Sequence, residues 1–73
     1  MTKIATAGAL FDIIDRQREE LGISQRDLCK RAGLAHGTYW YAASRGGDMT
    51  LRAALAYCNV LGLSVRVTKG RGQ

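Results

Sequence analysis

Hydrophobic residues recur along this chain at helical spacing in three stretches, and they change to strict alternation in a fourth. Leu10, Ile13, Ile14 and Leu21 fall on one helical stripe that Phe11 widens and only Gln17 interrupts. They predict a first helix over about 7–21. Asp12, Asp15, Arg16, Glu19 and Glu20 fall on its outward side, and Asp12 and Arg16 are spaced for an i,i+4 pair. Gly22 closes this helix, and Ile23 packs beneath the turn into the next.

Ser24 to Arg45 is the stretch around which the rest is arranged. Ser24 is a natural N-cap with Asp27 three residues on, an S-x-x-D start signal. Leu28 and Ala32 share one face of the second helix, Gly33 ends it, and Leu34 follows as an apolar plug. A third helix spans roughly His36 to Ser44 and buries Tyr39 and Ala42. Arg45-Gly46-Gly47-Asp48 reads as a loop, with Met49 packing back as a staple on a fourth helix capped by Thr50. That helix ends near Leu61 with Gly62 just past it, and its expected buried stripe is Leu51, Ala54, Leu55, Cys58 and Leu61.

The last change of period is at Leu63, Val65 and Val67, which alternate with Ser64, Arg66 and Thr68. Alternation predicts a strand at about 63–68 with one apolar face, followed by a polar tail at 69–73. A lone strand has no partner in a helical chain. The pattern as a whole predicts one domain over residues 1–73: all-α, a compact bundle of four helices containing a helix-turn-helix, plus a short C-terminal β-strand. That strand is expected to form a homodimer by pairing Leu63, Val65 and Val67 with a second copy across a two-fold axis.

Length strengthens the dimer expectation, because 73 residues bury too little surface to be more than marginal alone. Charge adds a direction. Residues 1–23 carry three Lys/Arg against four Asp/Glu, net −1, while residues 24–73 carry eight against two, net +6. A basic half joined to a near-neutral half points to an anionic partner on one side. Cys29 and Cys58 lie at apolar helix positions and form no C-x-x-C, so buried free thiols in a cytoplasmic protein are expected. A single histidine and outward-facing acids supply no acid–base pair and no metal cluster. No enzyme activity, cofactor or metal is therefore expected. No leader and no membrane segment is expected either, since MTKIATAGAL lacks a long apolar core.

Helix, glycine turn, helix, with cationic residues around it, is the pattern of a DNA reader. In LGISQRDLCKRAGLAHGTYW, then RGG, then TLRAALAYCNVLGL, the chain resembles the Cro/lambda-repressor-like, or XRE, family of helix-turn-helix proteins over about residues 8–68. The resemblance rests on Gln25 at the start of the second helix, Leu28-Cys29 in place of the family's Leu-Ala pair, and the Gly33-Leu34 turn. The TL…LGL helix followed by a strand looks like the antitoxin-type branch. Three positions depart from the family pattern. Ala35 stands where a Ser or Thr usually caps the recognition helix, Gly37 stands at a frequent base-contact position, and Trp40 replaces a polar residue.

The resemblance implies an all-α compact bundle of four to five helices, and a transcriptional repressor, of phage, mobile-element or bacterial type, binding an inverted-repeat operator in double-stranded DNA as a homodimer. The alternative it leaves open is an antitoxin that binds a toxin protein and represses its own operon. The third helix would enter the major groove. His36, Gly37 (through its backbone), Thr38, Trp40 and Tyr41 are the candidates for contact there, with Trp40 alternatively closing the edge of the core. Gln25, at a helix N-terminus, and Arg26 and Arg45, flanking the same face, are candidates for phosphate. Lys30 and Arg31 lie on a solvent face that needs no ligand.

Overall fold

The structure, a computed structural model, describes residues 6–35 and 37–66. Among them are four helices and no strand: α1 (Ala7–Glu20), α2 (Gln25–Ala32), α3 (Thr38–Ser44) and α4 (Leu51–Val60).

Three of the four start on a hydroxyl cap. Thr6 Oγ1 accepts from the Ala9 N–H at 3.1 Å, Ser24 Oγ from Asp27 at 3.0 Å and Thr50 Oγ1 from Ala53 at 3.1 Å. Each satisfies one N–H that the first turn leaves without a helical partner. The fourth, α3, has no side-chain cap. Gly37 stands at its N-cap in a right-handed conformation, and the turn before it closes through Thr38 N–H to the Ala35 carbonyl at 3.1 Å. The helix expected from His36 begins at Thr38, and His36 itself lies outside the described residues.

The core draws on all four helices. Ile14, Leu28, Cys29, Tyr39 and Tyr57 are its largest fully buried side chains. Phe11 of α1, Tyr39 of α3 and Tyr57 of α4 stack in series, with ring centroids 4.9 and 5.3 Å apart and the second pair edge-to-face. Leu34 is half-buried against this core, as is Met49.

Two expected faces are corrected. On α4 and its C-cap, Ala54, Cys58 and Leu61 are buried as expected and Ala53 and Tyr57 join them, while Leu51 and Leu55 are 70% and 44% exposed. Tyr57 sets the rotation: its ring packs on Tyr39, and its hydroxyl lies 3.6 Å from Cys29 Sγ on α2. Once that ring turns inward, the leucines at 51 and 55 turn out. On α1, Leu21 is the C-cap and exposed, whereas Asp15, expected to face outward, is half-buried. The Asp12–Arg16 spacing yields no ion pair, while Asp27 and Arg31 on α2 do pair, at 3.1 Å.

Glycines allow the tight joins. Gly33 is left-handed at φ 72° and closes α2, as the Gly33-Leu34 pattern predicts. Gly47, at φ 90°, lies directly against α1, where its backbone approaches Phe11 and Gly8. No strand is found in 63–66, and Val67 and Thr68 lie outside the described residues. Leu63 donates its N–H to the Cys58 carbonyl at 2.8 Å and packs half-buried on its own core, which leaves Val65 exposed.

Candidate nucleic-acid interface

The candidate surface is built on α3, a helix of seven residues clamped from behind. Tyr39 and Ala42 face the core, so the residues between and beyond them face away. Trp40 is 66% exposed and Tyr41 52% exposed. Trp40 therefore stands outward and does not close the core edge. Thr38 is half-buried in the first turn, and Arg45 is exposed at the C-cap.

Tyr41 and Arg45 act as a unit. The Arg45 guanidinium lies over the Tyr41 ring, 4.3 Å from its centroid, and Nη2 donates to the Tyr41 hydroxyl at 2.6 Å. A guanidinium has five N–H donors in a planar fork, so most of them stay free for an anion. Gln25, the first residue of α2, and Arg26 beside it are exposed. Of the sequence candidates, then, Gln25, Arg26, Trp40, Tyr41 and Arg45 are exposed on the α2–turn–α3 unit, and Gly37 and Thr38 sit at the start of α3. The two-helix unit is held internally by Leu28 and Tyr39 in one core.

The sequence reading missed what holds α3 in place. The Tyr39 hydroxyl donates to Asp15 Oδ1 at 2.6 Å, and Arg18 donates to the same oxygen through Nε at 3.1 Å and Nη2 at 3.0 Å. Arg18 Nη1 also donates to the Ile23 carbonyl at 2.8 Å, and its guanidinium lies 5.8 Å from the Tyr39 ring centroid. One carboxylate on α1 thus ties α3 and the α1–α2 turn together. The clue was a Tyr at a buried position, whose hydroxyl needs a partner once desolvated. The partner, 24 residues away, has no local signature.

Burial alone would raise the Asp15 carboxyl, but the hydrogen bonds from Tyr39 and then Arg18, with the Arg18 charge, hold it below the usual carboxylate range. Burial, then the bond to Asp15, pushes the Tyr39 phenol well above its ordinary value. The pH consequences have opposite signs. Asp15 stabilises the fold above the unfolded aspartate value of about 3.9, and that share is lost as pH falls through its lower folded value. Tyr39 contributes fully below about pH 10, and its share is lost as pH rises from there. Asp15→Asn should lower Tm at neutral pH and reduce the difference from wild type near pH 3. A constant difference across that range would show that the carboxylate charge is not what matters.

No protein-family model matches the chain, and no curated protein matches it. Among the described residues, no helix is long and apolar enough to cross a membrane.

Proposed function

We propose that this chain is a sequence-specific DNA-binding repressor of the Cro/lambda-repressor-like helix-turn-helix kind, working as a homodimer on an inverted repeat. The observation that carries the reading is α2–turn–α3. Gly33 supplies a left-handed turn, Leu28 and Tyr39 share a core beneath it, and α3 turns Trp40, Tyr41 and Arg45 outward. An α-helix fits the major groove, and its first turns approach the base edges. The net +6 of residues 24–73 supplies the attraction to phosphate.

In this reading His36, Thr38, Trp40 and Tyr41 face the bases or the adjacent sugar-phosphate, with Gly37 offering only backbone. Gln25, Arg26 and Arg45 meet phosphates. Selection of bound duplexes from random DNA, followed by a salt titration, tests it. Affinity should fall with salt at a log–log slope of about −0.9 per phosphate neutralised. His36→Ala or Tyr41→Ala should narrow the gap between specific and nonspecific DNA, by about 1–3 kcal/mol for a lost base contact. Arg26→Ala should weaken all sequences alike and flatten the slope. No preference among duplexes after selection would end the repressor reading.

Dimerisation is proposed through the segment at 63–68. Leu63 packs on its own core, so Val65 is the exposed apolar position of this segment, and Val67 lies outside the described residues. Paired across a two-fold axis, the segment would set two copies of α3 about one DNA turn, roughly 34 Å, apart. Val65→Asp, or truncation after Ser64, should give a helical monomer with most of its operator affinity lost, as read by sedimentation and by titration with the selected duplex. A variant still dimeric would move the interface to α4, where Leu51 and Leu55 lie exposed.

A further inference from the structure

Between α3 and the start of α4 lies an open groove of about 610 Å³. That is the size of a small-molecule site. Its floor is apolar: Ala42 and Ala53 are buried and Met49 half-buried. Among the described residues its rim carries one charge of each sign, Arg45 and Asp48. They follow each other through the glycine turn, with Asp48 N–H directed to the Arg45 carbonyl at 3.4 Å. Among the described residues neither side chain forms an ion pair, with the other or with a third group. Arg45 is turned instead onto Tyr41.

An apolar floor beneath an unpaired cation and an unpaired anion is complementary to a small zwitterion with an apolar body. A purely anionic ligand would meet Asp48, and a purely cationic one would meet Arg45. A simple hydrocarbon would leave both charges without a partner. We propose that this groove binds a free amino acid with a large apolar or aromatic side chain. The ligand carboxylate takes the open guanidinium donors of Arg45, its ammonium pairs with Asp48, and its side chain covers Ala42, Met49 and Ala53. Gly37, Thr38, Tyr41 and Arg45 all line the groove and are shared with the face assigned to DNA. On the reading proposed above, an occupied groove therefore competes with the operator for those four residues.

The test uses the full chain without DNA, with L-phenylalanine as probe. Amide chemical shifts are followed by NMR. Saturable shifts should cluster on residues 37–53. Phenylpropionate, which lacks the ammonium, and phenethylamine, which lacks the carboxylate, should each bind at least tenfold more weakly. Arg45→Gln and Asp48→Asn, both at exposed positions, should each weaken L-phenylalanine at least tenfold. Glycine, which has the charges without the apolar body, should give no saturable shift. Absence of saturation by L-phenylalanine overturns the proposal. So does phenylpropionate binding as tightly as the amino acid, or an Asp48→Asn variant that binds unchanged. Ligand binding is measured on the protein alone, so a chain that takes L-phenylalanine but no duplex keeps the groove and loses the repressor reading. A chain that reads DNA but ignores the amino acid does the reverse.

Discussion

Tyr39→Ala is expected to unfold most of the domain, while Tyr41→Ala, two residues away, leaves it folded. Tyr39 is fully buried, stacks between Phe11 and Tyr57, and donates to Asp15 at 2.6 Å. Truncating a core aromatic costs about 3–5 kcal/mol, and the whole stability of a small domain is on the order of 5 kcal/mol at the lower end. The loss also strands the Asp15 oxygen with only Arg18 as partner. Tyr41 is half in solvent, and its contact is an exposed cation–π stack with Arg45, worth about 0.5–1 kcal/mol. Circular dichroism during thermal denaturation separates the two. Tyr39→Phe keeps the ring and removes only the hydroxyl with its bond to a charged carboxylate, so it should fall between them, at about 1.5–3 kcal/mol. If Tyr41→Ala destabilises as much as Tyr39→Ala, α3 is rotated from the orientation described.

The second large effect is expected at Gly47. A β-carbon there would come within 2.7 Å of Phe11 Cβ and 3.0 Å of Gly8 Cα, at a backbone φ of 90°. Left-handed strain costs about 1–2 kcal/mol and overpacking a fitted site about 1–3 kcal/mol. Gly47→Ala should therefore cost on the order of 3 kcal/mol and lower Tm by more than about 10 °C. Gly46→Ala is the control. Its φ is also positive, at 69°, but a β-carbon there meets nothing within 4 Å. Only the strain term applies, so the cost should be about 1 kcal/mol. Equal effects at the two positions would mean that the α3–α4 loop does not rest on α1. The join matters for the candidate site, because this loop carries Arg45 and Asp48 and Gly47 N–H closes α3 onto the Ala42 carbonyl at 2.8 Å.

Much of the candidate surface was legible in the chain because helix periodicity reports facing directly. With Tyr39 and Ala42 inward, Tyr41 was expected to turn outward or sideways while Trp40 could still have closed the core edge, and both are exposed. The chain could not show that Tyr41 is stacked under Arg45, since both residues are compatible with several rotamers on an open surface. Nor could it reveal the tie from Asp15. An aspartate four residues from a glutamate on a charged helix looks like surface, and only the approach of α3 turns it into a hydrogen-bond acceptor. The groove between α3 and α4 is likewise a product of how two helices meet across a loop.

Local chemistry determined where α2 and α4 begin and where α1, α2 and α4 end. Ser24 and Thr50 cap because a side-chain oxygen reaches an N–H three residues on, and Gly22, Gly33 and Gly62 terminate because a left-handed residue costs glycine little. These are interactions within one turn, so the order of residues is enough to specify them. Which face of α4 is buried was decided by tertiary structure. Its leucines at 51 and 55 and its Tyr57 and Ala53 define competing apolar stripes, and periodicity alone does not rank them. The ring of Tyr57 finds Tyr39 and its hydroxyl finds Cys29, two partners from distant parts of the chain. A stripe is chosen by the cavity that receives it, and that cavity exists only once the other helices are packed.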